Sequence, residues 1–172
     1  MLKKVVLLLL VFAAFACASK SAGDIFKEAQ QHLARQEFKS GVNTMKEILS
    51  EYPNDKKWNF KANLEIAKVY HAHAIKSVPK NESLKIAVQY YTRANSILPE
   101  DKEAPKALFL AAFIEANELH NFQKAKELYS KFIKLYPKSQ MAESARKEIE
   151  NLGIPPEKII EKNLKPDEKK KR

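Results

Sequence analysis

The chain has 172 residues, which suits one domain with short extensions, and 45% of them are hydrophobic, which is enough for a core. Only three residues are glycine, so a fold built on tight hairpins, which need positive φ angles, is disfavoured. The net charge of +10 comes from basic residues scattered among acidic ones, so it does not predict a nucleic-acid-binding surface. Abundant helix-forming residues predict an all-α fold.

The N-terminal end has the pattern of a secretory signal peptide. Lys3 and Lys4 precede an apolar run over 5–16, and small residues close that run. The run is shorter than the roughly 20 apolar residues that span a bilayer. We therefore expect 1–16 to be removed as a signal peptide and 17–23 to form a short polar tether.

Cys17 follows the apolar run and is the only cysteine of the chain, so it cannot form an intramolecular disulfide. The stretch Ala14-Phe15-Ala16-Cys17 resembles the bacterial lipobox. The resemblance implies a covalent lipid on Cys17 that anchors the protein to a bacterial envelope membrane. Because Ala18 rather than aspartate follows, it implies the outer membrane, facing the periplasm. Alternatively, the same residues form an ordinary cleavage site and Cys17 stays a free thiol.

Three segments of the chain have the same spacing of residues. Counted from the first residue of each segment, the residues 4 and 7 positions later lie on the same helix face, and a proline 12 positions later ends the helix. The segments are Gly41, Met45, Ile48 and Pro53; Ala87, Tyr91, Ala94 and Pro99; and Ala125, Tyr129, Phe132 and Pro137. This pattern resembles the second helix of the tetratricopeptide repeat. It implies a right-handed helical solenoid of about three helix pairs, extending over 24–153.

The sequence predicts seven helices, the last of which caps the open end of the stack. They are expected near 21–36, 38–52, 57–77, 83–97, 102–119, 122–136 and 139–151. Residues 77–82 read as an inserted loop, with Ser83 as the N-cap of the fourth helix. The charged stretch over 154–172 is predicted to be a disordered tail.

The small residue expected in the first helix of each pair is Ala29 in the first pair and Ala67 in the second. In the third pair the small residue is Ala112, but the position at which the repeat has its small residue is occupied by Phe113. The closing stretch over 132–153 also resembles two groups of bacterial envelope proteins. These are the tetratricopeptide lipoprotein of the outer-membrane β-barrel assembly machinery and the periplasmic Tol-Pal coordinator.

The resemblance also implies a binding site, because the first helices of tetratricopeptide repeats line a concave groove. The nine residues that match the groove positions are Phe26, Gln30, Leu33, Leu64, Lys68, His71, Leu110, Ile114 and Asn117. A groove with an apolar floor and a polar rim would accept a peptide segment of another envelope protein. In the alternative interpretation, the apolar members of this set are core residues.

No catalytic motif stands out in the sequence, so we expect a scaffold rather than an enzyme. His71 and His73 lie two residues apart, on different sides of a helix, so no metal site is expected. The expected partners are an envelope protein and the membrane, without nucleic acid and without a cofactor beyond the lipid on Cys17. The alternative function is that of a ligand-binding accessory lipoprotein associated with a solute transporter.

Overall fold

The computed structural model describes residues 20–164, which form eight α-helices and contain no strand. The helices are α1 (Ala22–Ala34), α2 (Phe38–Glu51), α3 (Lys56–His71), α4 (Lys80–Ile97), α5 (Ala104–Phe113), α6 (Phe122–Leu135), α7 (Ala142–Asn151) and α8 (Pro156–Leu164). A π-helix over Ile114–Glu118 continues α5. No helix among the described residues has both the length and the apolar character needed to cross a membrane. The signal-peptide region and Cys17 lie outside the described residues.

From α1 to α7, each helix packs against the helices that precede and follow it in the chain. Such nearest-neighbour packing is the mark of a solenoid, in which each unit buries its apolar side on the next. One continuous cluster of buried hydrophobic side chains runs from Ala22 to Ala145. The predicted all-α stack of helix pairs is therefore confirmed.

The repeated motif forms the centre of this core. All nine residues at its first three positions are buried, and Met45, Ile48, Tyr129 and Phe132 are completely inaccessible. Gly41 is needed because a Cβ atom there would lie 2.5 Å from Cδ2 of Leu33. The second helix of each pair thus places one narrow apolar face against its neighbours, as the spacing predicts.

Several helix boundaries differ from the prediction, most of all the end of the third helix. Helix α3 ends at His71, before a loop in which His73 has a φ of 49°, and α4 already begins at Lys80. Ser83 is therefore inside α4 and not at its N-cap. Its buried hydroxyl donates a hydrogen bond of 2.6 Å to the carbonyl of Tyr70. The same carbonyl also accepts a hydrogen bond of 3.0 Å from the amide of His73, so the end of α3 is joined both to its loop and to α4.

The π-helix accounts for the one-residue offset in the third pair. A π turn holds one residue more than an α turn, as the 2.9 Å bond from the amide of Leu119 to the carbonyl of Ile114 shows. Ala112 is fully buried, as the small residue of a first helix should be, whereas Phe113 is 37% exposed. The extra residue restores the register before α6 begins.

The two ends of the repeat domain compare differently with the prediction. Helix α1 begins at Ala22, close to the start expected near residue 21, with a capping box between Ser21 and Asp24. The prediction of a disordered tail is wrong for Pro156–Leu164, which form α8. Proline at the first helical position and Glu157 in the first turn both favour a helix start there.

We expect Phe132→Ala to lower the free energy of unfolding by about 3 to 5 kcal/mol, because it leaves a cavity in the core. The ring of Phe132 is fully buried and packs edge-to-face on Phe109, at a centroid distance of 5.6 Å. Phe122→Ala is the matched control, since Phe122 is 41% exposed. Urea unfolding would measure both, and similar losses in the two variants would contradict the packing described.

Candidate functional site

One side of α3 carries a row of side chains that we call the α3 stripe. It consists of Lys57, Lys61, Leu64, Lys68 and His71, spaced by four or three residues along the helix. This spacing places all five on a single face. Leu64 is buried, Lys61 and His71 are half-buried, and the other two lysines are exposed. The stripe lies between α1 and α5, the first helices of the neighbouring pairs.

Towards α1, the stripe meets a pair of aromatic rings. Phe26 and Trp58 are half-buried, and their ring centroids lie 5.2 Å apart. Nζ of Lys61 lies 4.7 Å from the centroid of Trp58, and Nζ of Lys57 lies 5.3 Å from it. These are cation–π distances, so both ammonium groups stay beside the rings.

Towards α5, the stripe borders a small cleft. Leu64, Lys68 and Leu110 line it together with Lys106 and the buried Tyr91. Its volume is about 60 Å³, the space of about two water molecules. The structure therefore brings three of the nine predicted groove residues, Leu64 and Lys68 of α3 and Leu110 of α5, to the same place.

His71 closes one end of the stripe. Its Nε2 lies 3.1 Å from a carboxylate oxygen of Glu118, in the π-helix, and its Nδ1 lies 3.4 Å from the hydroxyl of Tyr91. The side chain thus joins α3 to the next helix pair. Burial raises the pKa of Tyr91 to about 12, because the phenolate would lose its hydration.

The remaining predicted groove residues lie elsewhere. Ile114 is fully buried, so its assignment to the groove is wrong; it precedes the extra residue of the π turn, and a register counted back from α6 therefore gives it the wrong face. Asn117 is exposed and lines a different cleft, near the end of the chain. Leu33 packs against Gly41 between α1 and α2, and Gln30 is half-buried. Of the predicted set, the structure brings Leu64, Lys68 and Leu110 together at the small cleft, while Phe26 lies beside Trp58 and His71 lies against Glu118 and Tyr91.

The basic part of this site was not predicted from the sequence. The predicted groove residues did not include Lys57, Lys61, Trp58 and Lys106. The spacing of Lys57, Lys61 and Lys68 within one helix was a usable signal. The contact of Trp58 with Phe26 joins two helix pairs, and no spacing within one helix could reveal it.

The second cleft, which we call the terminal cleft, has a volume of about 550 Å³. It lies between the π-helix, the start of α6 and the C-terminal end of the described chain. Its lining consists of Ala116, Asn117, His120, Phe122, Glu148, Asn151, Leu152, Gly153, Ile154, Pro155 and Ile159. Within residues 20–164, no three acidic, histidine or cysteine side chains are grouped as metal ligands would be.

A family model described as tetratricopeptide repeat matches residues 106–139. The match covers most of α5, the π-helix and α6, so the third helix pair is a tetratricopeptide repeat and the fold is a tetratricopeptide-like helical solenoid. Such repeats generally mediate protein–protein interactions. No curated protein matches the chain.

The raised pKa of Tyr91 predicts a loss of stability at high pH. The unfolded phenol ionises near pH 10 and the folded one near 12, so the folded state binds more protons between these values. The stabilisation is complete below pH 10 and is lost as the pH rises to 12, by up to about 3 kcal/mol. Urea unfolding at pH 9 and pH 11.5 should show a smaller loss in Tyr91→Phe than in the unmodified protein. Equal losses would contradict this assignment.

Proposed function

We propose that the chain binds an extended segment of another protein along the α3 stripe and the parts of α1 and α5 that flank it. The observation that carries this proposal is the grouping of Phe26, Trp58, Leu64 and Leu110 with exposed lysines on one face. A partly apolar floor with a charged rim is typical of surfaces that bind peptides. The protein–protein role of tetratricopeptide repeats in general supports it.

The dimensions of the stripe suit a short peptide. From Lys57 to Lys68 the helix rises by about 16 Å, at 1.5 Å per residue. An extended peptide covers that distance with about five residues. The partner segment would therefore be short, and flanking contacts on α1 and α5 would add to its affinity.

We further propose that the protein is a non-catalytic scaffold of the bacterial envelope, lipid-anchored through Cys17 to the outer membrane and facing the periplasm. Its partner would be another envelope protein, in outer-membrane assembly or maintenance of the envelope. The apolar run over 5–16 and the lone cysteine after it support this proposal. Because Ser21 caps α1, the chain from Cys17 to the first helix spans at most about 14 Å. The hydroxyl of Tyr52 also donates to the carbonyl of Lys20, which fastens this end to α2.

Cys17→Ser should release the protein from the membrane fraction, because the thiol that carries the lipid is removed. Fractionation of cells that express each form would measure the shift, and mass spectrometry would show the loss of the lipid mass. The variant should keep the helical circular dichroism signal of the mature protein. Retention of Cys17→Ser in the membrane fraction would refute the lipid anchor.

A photo-crosslinking amino acid in place of Lys68 should capture a partner protein in intact cells. Lys126 is the matched control, because it is also exposed but lies on α6, the second helix of its pair. We expect a discrete crosslinked band from position 68 and none from position 126. Equal crosslinking at both positions would show that the α3 stripe has no special role.

A second candidate function is the binding of a small ligand in the terminal cleft, in association with a solute transporter. The volume of about 550 Å³ favours it, since ligand pockets usually measure 300–1,000 Å³. Apolar side chains such as Phe122 and Leu152 line the cleft beside a few polar ones, as in many ligand sites. The absence of any crosslink at position 68 would favour this candidate.

A further inference from the structure

We propose that the segment bound at the α3 stripe is acidic and carries an apolar residue next to its carboxylates. This inference rests on the proposed peptide-binding function and specifies the chemistry of the partner. Several lysines around the α3 stripe have no acidic partner in the described part of the chain, and the apolar and aromatic contacts alone do not neutralise their charge.

Three lysines of this face have no ion-pair partner. Within residues 20–164, Lys57, Lys61 and Lys106 have no acidic partner within 4.0 Å. Lys68 pairs with Glu65 at 2.7 Å, Glu103 lines the cleft, and Asp55 accepts a hydrogen bond from the amide of Trp58 at the start of α3. The three ammonium groups without an ion pair would attract an anionic segment.

The rings position two of these ammonium groups. The ammonium groups of Lys57 and Lys61 both lie near the ring of Trp58, and the two residues are four positions apart in α3, which is about 6 Å along the helix axis. In an extended peptide, alternate side chains point to the same side and lie about 7 Å apart. Two acidic residues separated by one residue could therefore reach both lysines at once.

The cleft lies next along the stripe. Leu64 follows Lys61 on the same face and lines the cleft with Leu110. The peptide residue two positions beyond the second acidic residue would place its side chain over this cleft. The volume of the cleft suits the end of a small aliphatic side chain, so that residue would be apolar. The stripe therefore fits a segment with two acidic residues and one apolar residue at alternate positions.

A lysine-rich face can also attract an anionic lipid surface. The cleft favours a peptide, because its walls are recessed: Leu64 is 5% exposed and Tyr91 is 2% exposed. A single projecting side chain can enter such an opening, whereas a layer of lipid headgroups meets only the lysine tips. We therefore assign the stripe to an acidic peptide and treat lipid binding as an outcome that would refute this.

Trp58 makes the inference testable, since it is the only tryptophan of the chain and lies within the site. Random twelve-residue peptides would be selected on the purified full-length protein. The selected peptide, and a twin with glutamine and asparagine in place of its acidic residues, would then be titrated while tryptophan emission is recorded. Vesicles of phosphatidylglycerol and of phosphatidylcholine would be titrated in parallel.

We expect the selected peptides to place acidic residues at alternate positions beside an apolar one. Their neutral twins should bind at least tenfold more weakly, and binding should weaken as salt is added. The double variant Lys57→Glu with Lys61→Glu should also lose at least tenfold in affinity. Lys126→Glu is the control with the same kind of charge change and should stay within twofold of the unmodified protein.

Neutral or basic peptides that still shift the emission of Trp58 would overturn the acidic preference and leave the proposed peptide binding intact. Selection of no peptide would refute both proposals. A response to phosphatidylglycerol vesicles alone would replace the peptide with a lipid surface. Equal losses in Lys126→Glu and in the double variant would show a general effect of charge and would also refute the site.

Discussion

Each helix of the stack has one apolar side that it can remove from water only by packing against its neighbours, and this constraint organises the whole chain. Tyr91 and Tyr129 fill equivalent places in successive pairs, and both are almost completely inaccessible. Burial raises the pKa of both phenols above the ordinary value. The close fit explains why small residues such as Ala29 and Ala67 lie where helices approach one another.

The same constraint limits what is left for binding. Helix α3 packs on both α2 and α4, so only a narrow face remains open. On that face the ammonium groups of Lys57 and Lys61 lie over the ring of Trp58. The candidate site therefore occupies the part of α3 that the stacking of helices leaves open. Residues on this part are not needed for packing, so they can carry charge.

Irregular elements adjust the stack without breaking its core. The π-helix absorbs one extra residue in the third pair and carries Glu118 to His71. It also buries Glu115, whose carboxylate meets Nζ of Lys124 at 2.9 Å. A buried carboxylate needs such a partner, because an isolated charge would be costly away from water. The inserted loop before α4 and the added α8 extend the domain at its edges.

The sequence by itself determined the all-α class, the three proline-terminated motifs and most helix positions, because helical periodicity and proline act locally. It also indicated Phe26, Leu64, Lys68 and Leu110 as members of one face. Only the tertiary structure decided that Ile114 is buried and that Trp58 meets Phe26. A π turn shifts the register of the residues before it relative to those after it, and contacts between separate helices depend on packing that no single helix encodes.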